Sequence, residues 1–358
     1  MNVFRIIQGL RLIPICSTAL SAVYADAPMD QDVPVAPLVA RDYHGWTNAY
    51  YLQHANMHVV LVPELGRIMH LGGYETNNLL RVNAEWVGAV ADRETRATSW
   101  PNYGGDWIWP VAQPHWASFH QRSWPPHPDL DGGTWTTRAW RSADGASHAR
   151  MERAFGEPFH IHITRTLRLD ATQSVFTVRQ RIEQTGESKI PFTLWHISQM
   201  DKAEMVFVPV DAHSSFEPTG LIALMHAYPS NEISRCEDVA VYDARMGGEH
   251  KFGSDSQRSW IAAVKGPWIL LVRIANEEQE GDTYPDGGCV LQIFSSGGLG
   301  YSEIETMSPE RVLATGETIE NTLTYSLHER PDTLTEPCAL AAFIKALAGE
   351  PISDTTVR

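Results

Sequence analysis

Short runs that alternate apolar and polar residues recur along almost the whole chain, and this period of two constrains the fold more than any other feature. Residues 57–62, 160–169, 175–183, 190–197, 260–264, 268–274, 289–294, 301–306 and 319–327 are rich in β-branched and aromatic residues and read as strands. In 175–183, Phe176, Val178 and Ile182 fall on one face, while Thr177, Arg179, Arg181 and Glu183 fall on the other. Gln184-Thr185-Gly186-Glu187, Asp286-Gly287-Gly288 and Thr315-Gly316-Glu317 supply turns between runs. Only residues 337–348 read as a convincing helix, opened by Pro337 and stopped by Gly349. No internal repeat or low-complexity tract interrupts the pattern. So many strands with so little helix predict an all-β fold: a large antiparallel β-sandwich with a short C-terminal helix.

Residues 100–140 break the rhythm. Seven of the twelve tryptophans lie there (Trp100, Trp107, Trp109, Trp116, Trp124, Trp135 and Trp140), among Pro101, Pro110, Pro114, Pro125, Pro126 and Pro128. That density of proline argues against a central strand and for a long, rigid, aromatic loop system, and loops of such length are commonly functional. A pyranose ring presents an apolar C–H face that a flat indole covers while its N–H meets a polar partner. Trp107, Trp109, Trp116 and Trp124 are therefore candidates to bind a mono- or oligosaccharide, with Asp106 and Gln113 as hydroxyl partners. The competing reading has at least half of these indoles plugging one end of the sandwich.

The N-terminus reads as an address. Arg5 and Arg11 precede an apolar stretch, and Val23-Tyr24-Ala25 offers a cleavage site, so 1–25 is expected to be a signal peptide and the protein periplasmic or secreted. The stretch is short for a membrane span, which needs about 20 residues. The remaining divisions are an extension over 26–44, the sandwich domain over 45–330 and a C-terminal helix and tail over 331–358. Formal net charge is −15. This acidity argues against nucleic acid and anionic membrane surfaces as partners and disfavours polyanionic substrates. Beyond the leader, Cys236, Cys289 and Cys338 permit one disulfide of undetermined pairing.

Four motifs occur in a telling order. Val62-Pro63-Glu64-Leu65-Gly66-Arg67-Ile68 is followed by Asn78-Leu79-Leu80, then by Tyr103-Gly104-Gly105-Asp106-Trp107-Ile108-Trp109-Pro110. Next comes Gln184-Thr185-Gly186-Glu187 with Ile190-Pro191-Phe192-Thr193-Leu194-Trp195-His196, and last Ile304-Glu305-Thr306. Together they resemble the galactose-mutarotase-like superfamily, the aldose 1-epimerases and their relatives, and within it an uncharacterised branch. The resemblance covers about residues 45–328. It implies a sugar site with His196 as catalytic acid and Glu305 as catalytic base, and with Arg67 and the Gly104–Pro110 loop positioning the ring. His127, in Pro125-Pro126-His127-Pro128, is a loose match to a second family histidine. Leu65 stands where the family has glycine, and Ile197-Ser198-Gln199 replaces the family's N-H-x-Y continuation.

Read on their own residues, these positions keep two meanings each. Histidine titrates near neutral pH and can act as a general acid, but His196 on a strand also fits a hydrogen-bonded core histidine. Glu303 and Glu305 project to one side of a strand, about 6.5–7 Å apart along the backbone, with Glu303 in a supporting or substrate-binding role. They also fit a pair of solvated acids. Glycoside hydrolysis wants carboxyls on opposite sides of the scissile bond and ranks below epimerisation; polysaccharide lyase chemistry rests on fold analogy alone. A non-catalytic carbohydrate-binding protein is the alternative. His160 and His162 lack a third ligand, and the acidic glycine-containing loops at 129–133 and 282–288 lack EF-hand spacing, so no metal is expected. No cofactor is expected either, since no phosphate- or dinucleotide-binding glycine pattern follows a suitable strand.

Overall fold

The computed structural model describes residues 34–350 apart from 55 and 74–77; the expected leader at 1–25 lies outside the described residues. The alternating runs pair antiparallel into two large sheets. One sheet has eleven strands in the order 36–37, 136–141, 147–155, 161–169, 175–184, 318–329, 268–276, 260–265, 205–209, 239–243 and 233–236. The other has ten, in the order 222–225, 249–254, 291–296, 301–306, 195–201, 106–109, 67–72, 57–62, 46–54 and 41–43.

Period two decides what each strand buries. On Trp260–Lys265, Ile261 and Ala263 face the space between the sheets, where they join Phe176, Val178, Ile182, Ile293 and Ile304. Trp260, Ala262 and Val264 face the other way and pack with Phe207 and Leu271 beneath the helix Pro337–Leu347, which inserts Leu340, Ala341 and Ile344. Strands covered on both faces read as continuous apolar runs. The helix is tied down covalently, because Cys236 and Cys338 form a disulfide with Cα atoms 5.1 Å apart, leaving Cys289 as a buried thiol. A third apolar cluster, including Tyr43, Trp46, Val60, Val62, Met69 and Tyr103, lies on the outer face of the ten-stranded sheet.

The structure corrects three boundaries. Residues 190–194 are not strand; Phe192 makes an isolated bridge to Arg311 and the strand proper is Trp195–Asp201. Residues 100–140 do contain a central strand, Asp106–Trp109, held between Trp195–Asp201 and Arg67–Gly72. The prolines flank this stretch without entering it, and Gly104 admits it through a backbone φ of +87°, where a Cβ would stand 2.2 Å from the Arg81 carbonyl oxygen. The chain also joins the sheets before residue 45, through Ala36–Pro37 and Arg41–Tyr43.

Candidate functional site

The Trp195–Asp201 and Tyr301–Thr306 strands are neighbours, with His196 opposite Thr306 and Ile197 opposite Glu305. Directly opposed residues of an antiparallel pair project to the same face, and successive residues to opposite faces. His196 and Glu305 therefore point to opposite sides of one sheet. The expected His196–Glu305 acid–base pair is not assembled.

His196 faces the interior between the sheets, fully buried. Its Nε2 lies 2.6 Å from Asp106 Oδ2, an oxygen that also accepts hydrogen bonds from Ser198 Oγ and the Tyr325 hydroxyl, each at 2.7 Å. Arg165 donates to the other Asp106 oxygen at 2.7 Å. Burial opposes the charge on Asp106, but the charges of His196 and Arg165 and their hydrogen bonds prevail, and its pKa is held well below the ordinary carboxylate range. Asp106 is thus a core anion joining the two sheets, not a partner for sugar hydroxyls.

The outer face of the same sheet carries the other chemistry. Trp107 is opposite Ile197 and Trp109 opposite Trp195; Gln292 is opposite Glu305 and Phe294 opposite Glu303; Lys251 is opposite Phe294. Register alone thus gathers Trp195, Ile197, Gln199, Glu303, Glu305, Trp107, Trp109 and Lys251 on one surface. Glu305 Oε2 accepts from the Trp195 indole at 2.6 Å and from the Lys251 ammonium at 3.1 Å. Glu303 Oε1 accepts from Gln199 Nε2 at 2.7 Å. Lys251 stands 4.5 Å from the centroid of the Trp195 ring, a cation–π contact. Burial works against its charge, yet Glu305, Asp286 and Glu303 outweigh it, and the Lys251 pKa is raised. At Glu303 burial comes first and the charge of Glu305 second, and together they push the carboxyl pKa up to about 8.

A wall of indoles borders these carboxyls. Trp107 meets Trp109 edge-on at 5.5 Å, and Trp109 meets Trp195 at 5.0 Å. Arg67 lies over the Trp107 ring at 4.0 Å, donates to the Gly104 carbonyl and is ion-paired with Asp131. Among the described residues, the buried polar atoms on this face that lack hydrogen-bond partners include Arg67 Nε, Trp107 Nε1, Trp109 Nε1, Glu305 Oε1, Gln199 Oε1 and Gln292 Oε1. Buried polar groups are almost always paired, so donors and acceptors left over side by side mark a place that receives polar groups from elsewhere.

The remaining sequence candidates divide. Trp116 is fully buried and donates to the Val111 carbonyl, a plug beneath Trp109 and Trp195. Trp124 is 47% exposed and packs against Trp100 and Trp116 at the rim. Gln113 sits in a short 3-10 turn and reaches the Ser123 carbonyl. His127 lies among Phe119, His120 and Phe159, and burial lowers its pKa. The acidic loops are occupied by cations: Asp129 pairs with Arg93, Asp131 with Arg67 and Asp282 with Arg311. Trp195, Gln199 and Lys251 were not among the sequence candidates. Trp195 and Gln199 were findable as the period-two alternates of His196, whereas nothing local singles out Lys251.

Superposition on solved structures settles what this architecture is. The Slr1438 protein from Synechocystis matches with a TM-score of 0.55 at 12% identity, over 79% of this chain and 96% of that one. Galactose 1-epimerase from Lactobacillus acidophilus matches with a TM-score of 0.51 at 8% identity, over 83% and 100% of the two chains. The chain has the galactose-mutarotase-like fold. A galactose mutarotase-like protein from Lactobacillus casei matches with a TM-score of 0.52 at 10% identity, over 78% and 100%. No protein-family profile matches the sequence, and no curated protein does. On the mutarotase-like fold, the face bearing Glu303 and Glu305 belongs to the ten-stranded sheet, opposite the side that meets the second sheet.

Proposed function

We propose that this is an exported carbohydrate-active protein that binds an aldose against the indole wall and interconverts its anomers, with Glu305 as the base. The observation that carries the reading is the leftover hydrogen-bonding set on the outer face, where a carboxylate oxygen, two amide oxygens and two indole N–H groups are buried without partners. A sugar ring offers what that set asks for: an apolar face for the indoles and hydroxyls that both donate and accept. Glu305 Oε2 is committed to Trp195 and Lys251, which leaves Oε1 for an anomeric hydroxyl. The mutarotase-like fold and the galactose 1-epimerase match support this substrate class by analogy. Export is supported by the leader-like N-terminus and by the Cys236–Cys338 disulfide, a bond that persists in oxidising compartments.

Polarimetry over a panel of free aldoses tests the catalytic claim. Glu305→Gln is expected to slow the relaxation of optical rotation by about 10²- to 10⁴-fold, the range typical of one lost proton transfer. Tryptophan fluorescence titration tests binding separately, and failure of every sugar in the panel to perturb it would end the carbohydrate reading. A second reading, binding without chemistry, is favoured by the absence of any imidazole at the face positions named above. Binding without acceleration of mutarotation would select it.

A further inference from the structure

Opening a hemiacetal needs an acid as well as a base, and the residue the family resemblance nominated, His196, lies on the wrong side of the sheet. Across the central strands the outward positions are Arg67, Met69 and His70; Trp107 and Trp109; Trp195, Ile197 and Gln199; Tyr301, Glu303 and Glu305; Gln292 and Phe294; Lys251 and Gly253, and the His70 ring packs against Tyr43 and His58. Both cations among them are engaged, Arg67 with Asp131 and Lys251 with Glu305. We propose that Glu303, as a neutral carboxylic acid, is the proton donor to the sugar ring oxygen, working beside Glu305 in place of a histidine. This rests on the anomer-interconverting reading above and adds to it the identity of the acid.

Three observations bear on Glu303. It shares the Glu305 face two residues away on the same strand, about 6.5–7 Å along the backbone, so both carboxyls project from one surface at a spacing comparable to a sugar ring. Only its Oε1 is hydrogen-bonded, to Gln199, and the residue keeps 8% exposure. Its surroundings also favour a held proton. The groups facing it are Glu305 and Tyr301 on its own strand, Lys251 across the sheet, and Arg67 at longer range. Arg81 lies over the Tyr301 ring, and Asp286 acts on Lys251. Burial and the Glu305 charge outweigh Lys251, Arg67 and the Gln199 hydrogen bond. A carboxyl held protonated in this way suits the acid's part.

The step balances without any co-reactant. Glu305 Oε1 takes the proton from the anomeric hydroxyl, the C1–O1 bond becomes a carbonyl, the C1–O5 bond breaks, and Glu303 delivers its proton to O5. Rotation about C1–C2 presents the other carbonyl face. Glu303, now a carboxylate, recovers the proton from the O5 hydroxyl as C1–O5 re-forms, and Glu305 returns its proton to O1.

The test compares wild type, Glu303→Gln and Glu305→Gln as full-length protein by polarimetry between pH 5 and 9.5, with solvent rates subtracted, and binding by indole fluorescence. Gln keeps the size of Glu303 and its contact to Gln199, and circular dichroism confirms the fold. The expected result is a wild-type kcat that declines as pH rises through about 8. Glu303→Gln is expected to bind sugar normally, to lose about 10²- to 10⁴-fold in kcat and to lack the alkaline decline. A Glu303→Gln rate within threefold of wild type, or an alkaline decline that survives the substitution, overturns the assignment. Wild type that binds sugars without accelerating mutarotation overturns it too while leaving the carbohydrate site standing. Absence of all sugar binding removes both.

Discussion

Glu303 carries a consequence for folding as well as for chemistry. Burial, then the charge of Glu305, raise its pKa from 4.5 to about 8 in the native state. The unfolded chain gives up this proton near pH 4.5, while the folded chain keeps it up to about pH 8. The stabilisation is therefore fully present below pH 4.5 and is lost as pH rises through that window. His70 runs the other way: burial, then His58 and His44, lower its pKa from 6.5 to about 4, so its contribution rises with pH over that lower range. Subtracting the Glu303→Gln profile isolates the carboxyl. Unfolding free energies from urea titration at pH 5 and pH 8 are expected to show wild type losing on the order of a few kcal/mol relative to Glu303→Gln. Parallel profiles would mean that Glu303 titrates normally in the folded protein. Residue by residue, the site was half legible. The same-side placement of Glu303 and Glu305 follows from period two, and so does the opposition of Trp195 to His196. Which of the two faces meets the second sheet depends on the register with distant strands, and no local signal at His196 encodes that.

Elements differed in legibility for a related reason. Strands such as Val175–Gln184 and Thr318–Glu329 alternate with large apolar residues and stand out, as does the helix Pro337–Leu347 with proline in its first turn. Ser147–Phe155 hides, because its interior positions are filled by Ala149 and Met151 among polar and charged residues. Glu249–Ser254 hides because its outward side holds Lys251 and Gly253. The helix depends on tertiary anchors more than on its own length, since eleven residues are marginal in isolation. Leu340, Ala341 and Ile344 cover Trp260, the Trp260 indole donates to Glu350, and Cys338 binds Cys236 across 102 residues of sequence. Reduction, or Cys338→Ser, is expected to lower unfolding free energy by about 2–5 kcal/mol and to shift indole emission to the red as Trp260 is uncovered. Unchanged urea midpoints with and without reductant would show that apolar packing alone holds the helix.

At the scale of the whole molecule, the two sheets are joined through apolar packing and through buried polar contacts, chief among them a cluster around Asp106. Asp106, His196 and Ser198 enter it from the ten-stranded sheet, Arg165 and Tyr325 from the eleven-stranded sheet. All five are buried, so the cluster stands in the protein interior, where a lone charge is costly. The depressed pKa of Asp106 means that its stabilisation is present above the ordinary carboxylate range and fades only as pH falls below it. Removing both partners should therefore cost less than the two single losses added together. Arg165→Met strands the Asp106 charge, and Asp106→Leu strands the guanidinium; each is expected to cost about 3–5 kcal/mol. The double variant replaces the pair with apolar groups and is expected to cost well under the sum of the two, with a coupling energy of about 1–3 kcal/mol. Urea midpoints of the four proteins at pH 7 measure that coupling. Additive losses would mean that His196 and Tyr325 satisfy each charge independently, and that the sheets are held together by packing without a specific ionic contact between them.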